Sequence, residues 1–219
     1  MRTLVSLALL VSLSACASTG GEGEWESLFD GETTSGWRGF KKEACPDGWQ
    51  VVDGTLTLVG GGGDIITTEQ YESFELQLEW KISEAGNSGI FFHVTEDHDY
   101  VWQTGPEMQI LDNAKHHDGG DPKTSAGANY ALHAPPADVT MPIGEWNQVR
   151  LIVNAGHVTH WLNGRKQCEY DLWSDDWIEA VRTSKFKDMP DYGLRESGHI
   201  ALQDHGDRVS YRGIRIRRL

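Results

Sequence analysis

Regular alternation of apolar and polar residues is the feature that most restricts how this chain can fold. Residues 74–82 are apolar at every second position, namely at Phe74, Leu76, Leu78, Trp80 and Ile82. A period of two is typical of a β-strand with one buried face. Shorter runs of this kind recur between glycine-containing turns, and Asn163-Gly164 between two apolar runs is a strong β-hairpin signal. Helical periodicity is weak and predicts one short helix, over residues 173–183.

Many short strands with few helices favour two β-sheets that pack face to face. We therefore predict an all-β fold, an antiparallel jelly-roll sandwich of two sheets. Its core should contain the apolar set of residues 74–82 and the in-phase apolar residues of the other runs, which are Ile90, Phe92, Met108, Ile110, Ile200 and Leu202.

Two of the predicted strands carry polar side chains on the face that points away from this core. They are Asn87 and His93 in residues 87–94, and Glu107 and Gln109 in residues 107–113. An ordinary solvent-facing strand is rich in Lys, Thr and Ser, whereas carboxyl, amide and imidazole groups beside Phe91 indicate a sugar-binding groove. The pattern alone also fits a half-buried sheet with an incidental polar face.

The amino-terminal residues have the pattern of an exported lipoprotein. Arg2 precedes an apolar stretch over residues 4–13, which is too short to span a bilayer and is typical of a secretion signal. The stretch leads into Leu-Ser-Ala-Cys, which resembles the bacterial lipobox, so Cys16 is the predicted lipidation site. The alternative is a plain signal peptide that is cleaved after Ala15.

This pattern divides the chain into three predicted segments. They are a lipoprotein signal peptide over residues 1–15, a flexible tether over residues 16–24, and one jelly-roll domain over residues 25–219. Because Ala17 and not Asp follows the cysteine, we expect a lipid anchor in the bacterial outer membrane. The protein would then face the periplasm or the cell surface.

The charge balance excludes one class of partner. The chain has 33 acidic and 19 basic residues, which gives a formal net charge of −14. Nucleic-acid binding is therefore not expected, since phosphate recognition needs clustered Lys and Arg. In an exported protein Cys45 and Cys168 are able to pair, but nothing in the sequence shows that their positions meet.

Seven short motifs occur in an order that is similar to that of one known family. They are residues 27–31 (SLFDG), 60–64 (GGGGD), 86–91 (GNSGIF), 106–113 (PEMQILDN), 160–164 (HWLNG), 184–187 (SKFK) and 200–206 (IALQDHG). Together they resemble the 3-keto-disaccharide hydrolase family over residues 25–219. The resemblance implies a concanavalin A-like lectin/glucanase fold and hydrolysis of glycosides whose sugar carries a ketone at carbon 3.

A ketone at carbon 3 changes the chemistry that a glycosidase needs. It acidifies the hydrogen at carbon 2, so that a general base there can drive loss of the carbon-1 leaving group, with water added later. This route needs a base, an acid, and a donor or cation at the enolate oxygen. Glu107 is the first catalytic candidate, as acid or base, with a structural carboxylate as the alternative. His205, in phase with Gln203, is the second, as base, acid or metal ligand.

The predicted substrate-binding residues are Asn87, His93, Gln109, Asp112, His160, Lys185, Gln203 and Asp64. Three of these have simpler alternatives: Asp112 as a turn or capping residue, His160 as a core histidine, and Lys185 as a solvated lysine. Further candidates, which would stack on sugar faces, are Trp37, Trp102 and Trp161.

No cofactor is firmly implied. A divalent cation such as calcium is compatible with Asp204, whose alternative role is a structural hydrogen bond. The adjacent His116 and His117 have no ligand partner at zinc-like spacing. The sequence therefore predicts a hydrolase of 3-keto-glycosides, and a non-catalytic, lectin-like carbohydrate-binding lipoprotein is the alternative.

Overall fold

The computed structural model describes residues 23–219, which form a sandwich of two antiparallel β-sheets. The predicted all-β fold is confirmed. The signal peptide, Cys16 and most of the tether lie outside the described residues. Within residues 23–219, no helix is long and apolar enough to cross a membrane.

The large sheet has eight strands and the small sheet has five. The large sheet contains β1 (Glu26–Ser27), β3 (Trp49–Val52), β4 (Thr55–Leu58), β6 (Phe74–Ile82), β9 (Asn147–Asn154), β10 (His157–Leu162), β11 (Arg165–Asp171) and β13 (Val209–Arg218). The small sheet contains β2 (Trp37–Gly39), β5 (Ile65–Thr67), β7 (Asn87–Val94), β8 (Glu107–Leu111) and β12 (His199–Leu202). Its strand order is β2-β5-β12-β7-β8, so β8 lies at one edge.

The core lies between the two sheets, where the period-two pattern predicts it. All the core residues named above are 0–4% exposed and belong to one apolar cluster. Burial of each large side chain contributes about 1.5–3 kcal/mol relative to leaving it in water. Cys168 is buried and Cys45 half-buried, and both are free thiols in the structure.

The local signals of the sequence also have their expected structures. Asn163 and Gly164 have φ angles of 49° and 77° and turn the chain between β10 and β11. Both angles lie in the left-handed region that a two-residue hairpin loop of this type requires. The single α-helix of the described residues is α1 (Asp175–Arg182), and its first turn is capped by the Ser174 hydroxyl, which accepts from the Trp177 amide at 3.1 Å.

A β-bulge in the small sheet reverses the orientation of His93. Two residues of β7, Phe92 and His93, lie opposite one residue of β12. His93 has a φ of 53°, its Nε2 atom lies 2.8 Å from the Glu72 carbonyl oxygen, and its ring packs against Phe74. The prediction that His93 shares the polar face of Asn87 is therefore wrong, because the extra residue shifts the period of the strand by one.

Candidate active site

A pocket of about 280 Å³ opens on the outer face of the small sheet, beside β7 and β8. It is lined by Asn87, Trp102, Glu107, Gln109, Tyr130, Lys185, Phe186, Met189, Gln203 and His205. Seven of these residues are predicted candidates, namely Asn87, Trp102, Glu107, Gln109, Lys185, Gln203 and His205. The structure therefore brings together groups from strands, from loops and from the segment that follows α1.

Glu107 lies at the bottom of this pocket because Gly89 leaves room for it. The two residues lie on adjacent strands, and Glu107 pairs with Phe91, two positions along from Gly89. A Cβ atom added at Gly89 would overlap the Oε1 atom of Glu107. The carboxyl group of Glu107 therefore lies directly over the backbone of Gly89, and Glu107 is only 6% exposed.

Burial gives Glu107 an unusual protonation equilibrium. Loss of water around the carboxyl group raises its pKa to about 8; Lys185 opposes the rise, and the negative charges of Asp64 and Asp118 add to it. A desolvated carboxyl group is a strong base once ionised, and such groups are typical of catalytic sites. Glu107 is therefore suited to proton transfer near neutral pH.

Lys185 supplies the positive charge of the pocket. Its Nζ atom lies 4.4 Å from the ring centre of Tyr130 and 5.5 Å from that of Phe186. Both rings line the pocket, so cation–π contacts direct the ammonium group toward it. The structure therefore favours the interpretation of Lys185 as a pocket residue over the alternative of a solvated lysine.

The two glutamines of the pocket differ in their free hydrogen-bonding capacity. Gln109 is held in place, since its Nε2 donates to the Thr124 carbonyl at 3.2 Å and its Oε1 accepts from the Ile110 amide at 3.1 Å. The Oε1 atom of Gln203 is buried and has no partner among residues 23–219. A buried acceptor without a partner is costly, and a sugar hydroxyl is a suitable donor for it.

His205 lies at the mouth of the pocket, but not on a strand as its alternation suggested. β12 ends at Leu202, and His205 is an exposed residue of the following loop. Asp204 anchors this loop: its Oδ2 accepts from the Gly62 and Gly63 amides, each at 2.9 Å. Asp204 therefore has the structural hydrogen bonds that were one of its two predicted roles.

Asp64 is not one of the residues that line the pocket, contrary to the prediction. It holds in place the loop that carries His205. Its Oδ1 accepts from the Asp204 amide at 2.9 Å, which joins motif 60–64 to motif 200–206. Burial raises the pKa of Asp64 to about 6; the hydrogen bond from the Asp204 backbone opposes the rise, and the nearby Asp204 charge adds to it.

Two further predicted residues, Asp112 and His160, lie outside the pocket. The Asp112 carboxylate accepts from the Ala85 amide at 2.8 Å and from the Ala114 amide at 3.1 Å, so it is a turn residue beyond the end of β8. His160 is fully buried, with Nε2 3.0 Å from the Tyr170 hydroxyl, and burial lowers its pKa to about 4. The observed contacts therefore agree with the alternatives of a turn residue for Asp112 and a core histidine for His160.

Among the tryptophan candidates, only Trp102 lines the pocket. Trp37 is buried and its Nε1 donates to the Leu28 carbonyl at 2.7 Å, while Trp161 lies on the large sheet. Tyr100 stacks on Trp102 with 5.0 Å between ring centroids and 10° between planes, and Tyr100 is 54% exposed. The two rings form an aromatic platform that extends from the pocket toward solvent.

Three lining residues were not predicted as site residues. Phe186 falls inside motif 184–187, so the motif contained a signal for it, but Tyr130 and Met189 lie in loops without a recognisable pattern. These residues give the pocket the apolar walls that sugar sites commonly have.

A larger depression, of about 650 Å³, lies on the outer face of the large sheet. Its charged groups have local partners: Arg150 donates to Glu75 at 2.5 Å and Arg215 donates to Gln77 at 2.7 Å. Charged side chains with local hydrogen-bond partners are typical of a solvated sheet face. We therefore assign the chemistry to the smaller pocket with the buried glutamate.

The chain is similar to known proteins over most of its length. The family model of the 3-keto-alpha-glucoside-1,2-lyase-like domain matches residues 24–217. The chain belongs to this family. A Bacteroides thetaiotaomicron relative named 3-keto-disaccharide hydrolase is 34% identical over 223 residues, which cover 87% of this chain and 77% of the relative.

Solved structures share the fold of this family member. A Parabacteroides distasonis protein named as a glycosyl hydrolase is 34% identical, with a TM-score of 0.83 over 89% of this chain and 94% of that chain. A Bacillus subtilis protein with a galectin-like fold is 14% identical, with a TM-score of 0.57 over 91% of this chain and 96% of that chain. The second likeness concerns the sandwich fold alone.

Proposed function

We propose that the protein cleaves the glycosidic bond of 3-keto-glycosides, including 3-keto-disaccharides, by elimination followed by hydration. Family membership and the named relative support a glycosidase-type enzyme. The observation that carries the proposal is the buried carboxyl group of Glu107, which faces a sugar-sized pocket next to the Lys185 ammonium group.

In the proposed reaction, ionised Glu107 removes the proton from carbon 2 of the bound sugar. The electron pair of that bond moves into the ketone and gives an enolate, whose oxygen Lys185 stabilises. The pair then returns to form a double bond between carbons 1 and 2 as the bond from carbon 1 to the leaving oxygen breaks. His205, at the mouth, donates a hydrogen bond to the leaving oxygen, which takes a proton from a water molecule. The hydroxide formed in this way adds to carbon 1, and the proton held by Glu107 returns to carbon 2, which completes hydrolysis.

The pocket does not favour the two-carboxylate mechanism of ordinary glycosidases. That mechanism needs a second carboxyl group on the other side of the scissile bond. Among the residues that line the pocket, Glu107 is the one with a carboxyl group, and the next outward position of β8 is Gln109. Elimination requires one carboxylate base, which is what the pocket supplies.

The decisive experiment compares the 3-keto and ordinary forms of the same disaccharides, such as trehalose and lactose. We expect turnover of the 3-keto forms only, with an unsaturated 3-keto sugar detectable before the hydrated product. Equal turnover of the ordinary sugars would contradict elimination. Binding of both forms without turnover would favour the lectin-like alternative.

The platform of Trp102 and Tyr100 is expected to bind the leaving group. We expect Trp102→Ala to raise KM for a 3-keto disaccharide about tenfold, since one aromatic stacking contact contributes about 0.5–1.5 kcal/mol and the ring also buries apolar area. The matched control is Trp161→Ala on the large sheet, which should leave KM unchanged. An unchanged KM in both variants would show that Trp102 is only a packing residue.

We also propose that Cys16 attaches the protein to the outer membrane. The sequence Leu-Ser-Ala-Cys and the Gly-rich segment after it support this proposal. Cys16→Ala should move the protein from the membrane fraction to the soluble fraction of fractionated cells, whereas Cys45→Ala should not. A Cys16→Ala variant that stays with the membranes would contradict the lipobox assignment.

A further inference from the structure

Three side chains that are common metal ligands meet next to the pocket. His116, His117 and Asp118 each offer a ligand atom, and these atoms all lie within 4.8 Å of one another. The ring centroids of the two histidines are 4.2 Å apart, and His117 Nε2 lies 3.1 Å from Asp118 Oδ1. Two imidazoles with one carboxylate are a ligand set that divalent transition metals prefer, zinc among them.

The cluster borders the pocket through two contacts. The Tyr130 hydroxyl donates to Asp118 Oδ2 at 3.4 Å, and Tyr130 lines the pocket. The ring centroid of His205, at the mouth, is 6.2 Å from that of His116. The cluster is therefore separated from the interior of the pocket by the width of one side chain.

Packing does not account for this cluster. The His117 side chain is 81% exposed, and His116 and Asp118 are only partly buried. The Nδ1 atom of His116 accepts from the Asp118 amide at 3.1 Å and so caps a short 3-10 turn. A tautomer change for metal binding would cost this one hydrogen bond, whereas the metal would gain a bond to each of three ligands.

We infer that His116, His117 and Asp118 bind a divalent transition-metal ion, with zinc as the best fit, on the rim of the catalytic pocket. The ligand atoms must approach to about 3.3 Å from one another for tetrahedral zinc, which the exposed histidines can achieve by rotation. Three protein ligands leave a fourth position for another oxygen, as in catalytic zinc sites. On the basis of the proposed function, this position takes an oxygen atom of the saccharide at the pocket mouth.

The metal site is tested by titrating the chelator-treated, dialysed protein with zinc chloride in a calorimeter. We expect one equivalent to bind with a Kd of about 10 µM or lower. His116→Ala and His117→Ala should each weaken binding at least about tenfold, and Asp118→Asn should weaken it in the same direction. The matched control is His157→Ala, an exposed histidine that contacts Asp171 on the large sheet.

The outcomes separate the metal site from the proposed function. Equal zinc binding by the wild type and by a His116→Ala/His117→Ala double variant, or no saturable binding, would overturn the site. If the site holds, removal of zinc should raise KM for a 3-keto disaccharide at least about fivefold, a change of about 1 kcal/mol. An unchanged KM would overturn the saccharide contact. Absence of turnover in every form would count against the proposed function, while the titration would still measure the site.

Discussion

Replacing Glu107 by glutamine is expected to reduce kcat for a 3-keto-glycoside by about 10²–10⁴-fold, the usual contribution of a positioned acid or base. Glutamine has the shape of the protonated carboxyl group and leaves the space over Gly89 filled in the same way. Sugar binding, measured with an unreactive ordinary disaccharide, should therefore change little. The control is Glu145→Gln, which removes the same charge from an exposed residue.

The pH profile gives a second readout of the same role. Because the pKa of Glu107 in the empty pocket is raised to about 8, kcat/KM of the wild type should rise with pH and level off near that value. The rising limb should disappear in Glu107→Gln. Full activity of the variant would remove Glu107 from the mechanism, and a parallel loss of binding and turnover would identify it as a binding residue.

The second large effect is on stability, and its sign follows from the same raised pKa. Below about pH 4.5 the Glu107 carboxyl group is neutral in both the folded and the unfolded chain, so it causes no penalty. Between about pH 4.5 and 8 the unfolded chain loses this proton while the folded chain keeps it. Because of this group, the free energy of unfolding then falls by about 1.4 kcal/mol for each unit that the pH rises.

Glu107→Gln should remove this loss. Relative to the wild type, the free energy of unfolding of the variant should rise by about 4 kcal/mol between pH 5 and pH 8, as measured by urea denaturation. The same difference for Glu145→Gln should stay flat over this range. A flat difference for Glu107→Gln would mean that the carboxyl group ionises at an ordinary pKa in the folded protein.

The core and the bottom of the pocket could be predicted from the sequence because they lie on regular strands. Neither β6 nor β8 carries an extra residue of its own, since the bulge in the β6–β13 pair lies on β13, so the period of two assigns Leu76 to the core and Glu107 to the outer face. The same rule is wrong for His93, since a bulge adds one residue to β7. A bulge depends on the pairing with β12, more than 100 positions later, which local alternation does not contain.

The sides of the pocket could be predicted only in part, because loops carry them. Lys185 and His205 could be selected as residue types that suit the chemistry, but their approach to Glu107 depends on contacts between distant segments. The bond from the Asp204 amide to Asp64 is an example, since it joins positions 140 residues apart. The proximity of Asp118 to His116 and His117 was missed for a related reason: Asp118 is the next residue, and a 3-10 turn brings its carboxylate back to the rings.

The residues that line the pocket belong to separate structural elements, and this affects how the substrate preference of the pocket can change. Glu107 and Gln109 belong to the sheet, whereas Lys185, Phe186 and Met189 follow α1 and Trp102 lies in the loop between β7 and β8. Insertions or substitutions in those connecting segments can reshape the sides of the pocket without moving Glu107. Under the proposed mechanism, such changes would alter the glycosides that are accepted and keep the same chemical step, so these segments are the places to randomise in a directed-evolution library.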